Sequence, residues 1–188
     1  NNATASNLGA ASYTVTITVA VGDSVLFNIT TGASNNTAVG TKALYTNSSG
    51  RTNTAIGARA LYDNTTGSYN VAIGDSAAAN SATVSHLVAV GSKALYTNTT
   101  GTEITAVGDS ALFSNTIGNF NTALGNGALR KNTDGDDNAA IGNKALYNNT
   151  TGGNNTAFGN DALYSNISGG SNTALGFSAL NKNTASSN

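Results

Sequence analysis

The sequence predicts an all-β chain that folds as a parallel β-solenoid, or β-roll, of nine to ten coils of 17 residues each. The main observation is the even spacing of the glycines that end an A-[VILF]-G triplet, with no insertion or deletion between them: Gly40, Gly57, Gly74, Gly91, Gly108, Gly125, Gly142, Gly159 and Gly176. A strict period of this kind is typical of solenoids, because each coil must lie in register on the next.

The second observation is that alanine occupies two fixed positions in every complete repeat. Counting the triplet glycine as position 0, these are positions 3 and 15. Position 4 is leucine except at Ala78, and position 16 is always branched or aromatic. Small side chains at fixed positions predict a narrow core, and positions 4 and 16 provide most of the hydrophobic surface.

Each repeat contains two short segments that favour β-structure. In N-T-A-V-G, threonine and the branched residue face one way and alanine faces the other. The A-L-Y segment at positions 3–5 predicts a second strand of about three residues. The intervening N-T-T-G predicts a tight turn, since glycine accepts a positive φ. Stacked at ~4.8 Å, such coils make a rod roughly 45 Å long.

The predicted strands are apolar on both faces. Alanine lies on one side and a bulky residue on the other, and the Ala-Leu pair repeats the same two-sided pattern. One face fills the narrow core, so the second must be buried against something else. We therefore expect a homotrimer in which each chain turns its bulky column toward its neighbours.

The composition excludes several functional classes. Only 9% of the residues are charged, and Asn, Thr, Ser and Gly make up just over half of the chain. The recurring apolar pattern nevertheless favours an ordered fold over disorder. A net charge of -1 with scattered Lys and Arg disfavours nucleic-acid binding. The sequence contains no run of 18 apolar residues, so it does not predict a membrane-spanning segment.

Three repeats carry a resemblance to known families: NTAIGARALYDNTTG (53–67), NTALGNGALRKNTDG (121–135) and NTAFGNDALYSNISG (155–169). They resemble the repeats of bacteriophage tail fibres and bacterial surface fibres. With a longer period, they are also similar to the [ST]-V-A-I-G head repeats of trimeric autotransporter adhesins. The resemblance covers about residues 35–185. It implies a trimeric, left-handed parallel β-roll that serves attachment outside the cell, on a cell surface or on a virion.

The N-terminal segment, residues 1–34, differs from the solenoid domain, residues 35–188. Residues 13–21, YTVTITVAV, alternate strictly and predict a longer strand. Residues 22–32 then match 108–118, but the step from Gly22 to Gly40 is 18 residues, which indicates a degenerate first coil. Two interpretations remain open: residues 1–20 cap the solenoid, or they pair with another subunit and extend a filament.

Few residues suggest chemistry. His86 is the only histidine and has no partners for a catalytic triad, so a loop residue is favoured. Asp134, Asp136 and Asp137 lack the spacing of a calcium loop, which favours a solvated turn. The GNG at 125–127 lacks the third glycine of a dinucleotide fingerprint. We expect no catalytic, cofactor-binding or metal-binding residue, and no enzyme.

Two columns of equivalent residues have structural interpretations. At position 7, an asparagine ladder would bond along the rod, and its members are Asn47, Asn64, Asn98, Asn115, Asn132, Asn149, Asn166 and Asn183. At position 5, an aromatic column is either buried packing, which we favour, or an exposed stripe that stacks on carbohydrate. Its members are Tyr45, Tyr62, Tyr96, Phe113, Tyr147 and Tyr164.

Three functional classes follow. The first is a structural or adhesive fibre segment, with a surface glycan as one candidate partner. The second is an ice-binding solenoid, suggested by a threonine column at position 14. Ice-binding faces usually show paired threonine columns, whereas here the neighbour is asparagine in most units and Val71, Val88 and Ala139 replace threonine. The third is a tailspike-type enzyme that cleaves glycan, but no acidic pair recurs at matching positions. Regularity breaks only at residues 1–34 and 75–88, so any specialised contact is expected there.

Overall fold

The computed structural model describes residues 16–30 and 32–185, and within them the chain forms one parallel sheet of ten strands and no helix. The strands are β1 (Thr16–Val21), β2 (Ser34–Val39), β3 (Thr54–Ile56), β4 (Val71–Ile73), β5 (Val88–Val90), β6 (Thr105–Val107), β7 (Thr122–Leu124), β8 (Ala139–Ile141), β9 (Thr156–Phe158) and β10 (Thr173–Leu175). They pair in chain order, which confirms the predicted parallel β-solenoid. No described residue lies in a helix that could cross a membrane.

The register follows the sequence period. Ala55 of β3 pairs with Ala72 of β4, and every later pair keeps alanine beside alanine. The first step is longer, since Val21 of β1 pairs with Val39 of β2. Thr30 N donates to Ser48 O, so the extra residue of this first coil lies after Thr30 and before β2.

The long N-terminal strand is confirmed over Thr16–Val21. This strand pairs with β2 of its own chain, with register shifts at its beginning. Residues 13–15 of the predicted strand, and residues 1–15 of the predicted cap or linking segment, lie outside the described residues. The part of the segment that is described therefore adds a first strand to the chain's own sheet.

The prediction of a second strand at A-L-Y is wrong, because this segment folds as successive turns. Leu44 has a φ of 49° and Lys42 a φ of 58°, both left-handed. Successive amides bond within the turn and between coils in alternation. Ala60 N donates to Gly57 O within the turn at 3.3 Å, whereas Leu61 N donates to Ala77 O of the next coil at 3.0 Å. The chain thus bends tightly here while still bonding between coils.

The core is narrow, as predicted, and it is filled by the alanines of positions 3 and 15 with the leucine of position 4. Ala43 and Leu44 are both 0% exposed, so the expected two-sided Ala-Leu pattern is wrong. The left-handed conformation of the leucine explains this, because it turns two successive side chains toward the same interior.

Glycine is required at position 0 because successive coils touch through their backbones. Gly142 has a φ of 136°, and a Cβ built on it would lie 2.5 Å from the carbonyl oxygen of Gly159. Position 10 is similar, since a Cβ on Gly118 would lie 2.5 Å from Gly135 O and 2.8 Å from Asn115 Oδ1. Two backbone-to-backbone contacts per coil therefore fix the stacking distance.

Candidate interaction surfaces

The outer face of the sheet carries the residues at positions 14 and 16. The alanine between them is buried, which confirms the predicted alternation of the strand. At position 16, exposure reaches 38% for Ile56, 46% for Leu124 and 51% for Phe158. We call this surface the strand face; its position-16 column comprises Val39, Ile56, Ile73, Val90, Val107, Leu124, Ile141, Phe158 and Leu175.

The strand face is uniformly uncharged. Position 14 is threonine, valine or alanine in β2 to β10, and position 16 is aliphatic or phenylalanine. At ~4.8 Å per coil, the column is roughly 40 Å long. Monomeric proteins rarely expose continuous apolar patches larger than a few hundred Å². This surface is therefore a candidate for contact with another protein surface.

The asparagine ladder predicted at position 7 is confirmed and buried from Asn47 to Asn166, whereas Asn183 is partly exposed and donates to Asn172 instead. Asn132 Nδ2 donates to Asn115 Oδ1 at 2.9 Å and to Gly135 O at 2.9 Å, and Asn149 Nδ2 donates to Asn132 Oδ1 at 2.8 Å. The ladder is interrupted at Ser81, next to which Asn64 Oδ1 is buried without a partner. These asparagines stabilise the solenoid and are not a binding surface.

A second asparagine ladder at position 13 was not predicted. Asn155 N donates to Asn138 Oδ1 at 3.0 Å, and Asn155 Nδ2 donates to Gly169 O at 2.8 Å. The signal in the sequence was the asparagine of N-T-A, which we interpreted as the surface neighbour of the threonine column. That interpretation is wrong, because the asparagine is buried and the outward neighbour of threonine is the position-16 residue.

The aromatic column at position 5 is half-buried, between the two predicted alternatives. Its rings stack in pairs, with centroids 5.2 Å apart for Tyr45 and Tyr62 and 5.3 Å apart for Tyr96 and Phe113. Arg130 fills one break in the column, since its guanidinium lies 5.1 Å from the Phe113 ring. The rings therefore pack on one another along the rod, and their outer edges remain partly exposed.

The residues singled out for chemistry are exposed and separate. Asp134, Asp136 and Asp137 lie on an exposed turn, where Asp136 Oδ1 accepts a hydrogen bond from Asn119 N at 2.6 Å. Within the described part of the chain, no three His, Cys, Asp or Glu residues are grouped so as to hold a metal ion. His86 is exposed and stacks on Tyr69, with ring centroids 5.3 Å apart.

The coil of residues 74–90 has an altered interior. Ser81 replaces the ladder asparagine, and Val84 replaces the position-10 glycine. In other coils a Cβ at position 10 would press against the position-7 asparagine, as at Gly118. The shorter Ser81 leaves room for the Val84 side chain, which is 5% exposed. The two replacements are therefore structurally coupled.

The same coil lacks part of the bonding to its successor. Elsewhere the position-8 amide donates to the next coil, as Thr65 N does to Ala82 O at 2.7 Å and Thr99 N to Thr116 O at 3.0 Å. The position-9 amide donates to the same carbonyl, as Thr100 N does to Thr116 O at 3.0 Å. In the described structure, the amides of residues 82 and 83, at positions 8 and 9 of this coil, have no partner.

A depression of about 410 Å³ opens where these bonds are missing. We call it the seam; it is lined by Thr83, Val84, Ser85, His86, Thr100, Thr102 and Glu103. The prediction that a specialised contact lies at residues 75–88 thus has a structural counterpart, although Thr100, Thr102 and Glu103 were not foreseen. The sequence signal for the seam is the paired loss of asparagine and glycine at Ser81 and Val84.

The stacked coils, single parallel sheet and buried ladders define a β-solenoid repeat protein. Comparison of the chain with protein-family models, curated proteins and solved structures found no match.

Proposed function

We propose that this chain is a rod-like structural segment of an attachment fibre, outside the cell, on a cell surface or on a virion surface, and that it acts as a homotrimer. The observation that carries the proposal is the strand face, an uncharged column of large apolar side chains that runs the length of the sheet. The resemblance of the 17-residue repeats to those of tail fibres and adhesins supports the same function.

The rod itself suits a spacing role. Most coils bond to the next through backbone groups and two buried asparagine columns, which are interrupted at Ser81 and at Leu87 and Ile104. Repeat proteins of this type gain their stability from neighbouring interfaces. From Gly40 onward no insertion widens a coil. Such a scaffold extends a fixed distance and resists bending.

The strand face supports self-association. Parallel sheets are usually covered on both faces, because βαβ connections place helices there. Here one face covers the core, and no described segment of this chain covers the other. Three identical chains around a threefold axis would bury all three strand faces in a closed assembly.

Neither rival class gains a supporting observation. An ice-binding face must be flat, but position 16 alternates between Val107, Leu124, Ile141 and Phe158, whose sizes differ. A glycan-cleaving enzyme needs paired carboxylates; the one glutamate, Glu103, lies next to His86 rather than next to an aspartate. Thermal hysteresis and glycan depolymerisation assays test these two classes directly.

The proposal is tested by a charge placed in the middle of the strand face. Val107→Lys puts an ammonium where the partner chain would pack, so we expect the assembly to dissociate into single chains while the circular dichroism spectrum remains that of a folded β-protein. Thr151→Lys, at an exposed turn away from the strand face, is the matched control. Equal masses for the two variants in sedimentation analysis would contradict the proposed interface.

A further inference from the structure

We propose that the seam is a binding site for one pyranose unit of a neutral glycan. The proposal deepens the attachment function proposed above and rests on it, because an attachment fibre needs a surface ligand. It names the class of ligand and the place where the rod binds it. Four observations support it: unpaired backbone groups, side-chain hydroxyls, a lone carboxylate and an exposed ring.

The backbone of the seam offers both donors and an acceptor. The amides of Ala82, Thr83 and Ser85 have no partner in the described structure, and the carbonyl of Thr99 accepts no hydrogen bond. At the other described boundaries the amides equivalent to those of Ala82 and Thr83 bond to the next coil, for example Thr116 N to Thr133 O at 3.0 Å. The amide of Ser85 is less unusual, because the equivalent amide of Gly153 also has no partner. The unpaired amides therefore face the gap that separates them from the next coil.

The side chains of the seam add further polar groups, and together these groups suit a neutral ligand better than an ion. The hydroxyls of Thr83 and Thr100 and the carboxylate of Glu103 have no hydrogen-bond partner in the described structure. A sugar hydroxyl both donates and accepts, so it can use amide donors and a carboxylate in the same site. The carboxylate disfavours anionic ligands, and a single one is a poor cation site.

An exposed ring provides the apolar wall that a sugar ring requires. One face of His86 stacks on Tyr69, at an interplanar angle of 10°, so its other face looks toward the coil of Glu103. The residue that follows His86 in the same column is Glu103, so the carboxylate lies on the side of the ring that Tyr69 does not cover. A sugar ring with an apolar CH face can stack on the imidazole while one of its hydroxyls reaches the carboxylate.

The seam is specific to one coil boundary. In the preceding coil the amide of Thr65 bonds to Ala82 O, and in the following coil those of Thr99 and Thr100 both bond to Thr116 O. The difference follows from Ser81 and Val84, the replacements that alter the interior of this coil. One boundary with unpaired position-8 and position-9 amides, among described boundaries where these amides are bonded, is what a single binding site on a regular rod requires.

The experiment is an NMR titration of the folded protein with the methyl pyranosides of glucose, galactose and mannose and with N-acetylglucosamine. We expect one or more of these sugars to shift the amides of residues 82–86 and 99–103. Glu103→Gln keeps the shape of the side chain but removes its charge, and should weaken binding at least about tenfold. Asp137→Asn, an exposed acid at the same position two coils away, should leave affinity unchanged.

A second variant removes the two replacements, Ser81 and Val84, to which we attribute the seam. Ser81→Asn combined with Val84→Gly restores the consensus, and should close the gap and abolish the shifts while the protein stays folded. Absence of shifts with all four sugars, or equal affinities for Glu103→Gln and Asp137→Asn, would overturn the proposal. Light scattering on the same sample separates the two proposals: a trimer without sugar shifts contradicts only the site, and a monomer with shifts contradicts only the assembly.

Discussion

Asp63 illustrates how a single position departs from the repeat. At position 6 other coils place a donor, such as Asn148 Nδ2, which bonds to Tyr164 O of the next coil at 3.0 Å. Burial raises the pKa of the Asp63 carboxyl above its ordinary value. The folded state therefore binds this proton more tightly than the unfolded state, and stability attributable to Asp63 increases as the pH falls through the raised pKa.

We accordingly predict that Asp63→Asn stabilises the protein at neutral pH by about 1 kcal/mol, because the amide supplies a donor without a buried charge. The gain should shrink as the pH is lowered and the aspartic acid becomes protonated. Urea unfolding at neutral and acidic pH measures both effects. The exposed Asp75→Asn is the control, and a gain that does not depend on pH would contradict this explanation.

The coupling of Ser81 and Val84 gives a second prediction at the residue scale. Ser81→Asn alone should destabilise the coil, because the amide would press against the valine, and Val84→Gly alone should leave a void. The double variant should recover most of the loss, with a coupling free energy of about 1–3 kcal/mol. A thermal unfolding cycle measures it. Additive effects of the two substitutions would show that the replacements are independent.

The asparagine ladders stabilise the coils as elements. Asn132 donates to Asn115 and Gly135 and accepts from Asn149, all in the buried interior. We predict that Asn132→Ala lowers the free energy of unfolding by about 2–4 kcal/mol, because it leaves buried partners unsatisfied. The exposed Asn143→Ala should change it by no more than ~0.5 kcal/mol. Chemical denaturation of both variants makes the comparison, and similar midpoints would contradict a stabilising ladder.

Some structural elements of the repeat could be predicted from the sequence and others could not. The strand at positions 14–16 was predictable, because alternation of buried Ala55 with outward Thr54 and Ile56 is a local signal. The turn at positions 3–5 was not, since the left-handed φ of Leu61 is imposed by contacts with neighbouring coils and contradicts the residue's own preference. The position-13 ladder was missed because asparagine is polar, and burial depends on partners from another coil.

The seam shows the same limit for the candidate site. The sequence marks residues 75–88 as irregular and therefore draws attention to His86. It does not reveal that Thr100 and Glu103 face the same gap, because these residues belong to a regular coil. Only the stacking of coils brings the two segments together, and only the missing hydrogen bonds at residues 82–85 show that the gap is open.

At the scale of the whole molecule, the strand face is the surface on which the proposed assembly depends. The core of this chain is complete on its inner side up to the last coil, with alanine and leucine columns at or near 0% exposure from Ala43 to Leu163. On the outer side, Leu124 and Phe158 remain about half exposed at 46% and 51%. This exposed apolar side is the surface that the proposed homotrimer would bury.

The measurement that tests this claim most directly is the mass of the unmodified protein in solution, by size-exclusion chromatography with light scattering. We predict a single species with three times the chain mass of 18.6 kDa. A species of 18.6 kDa that stays monomeric as the concentration is raised would contradict the claim that the strand face is an interface between copies of this chain.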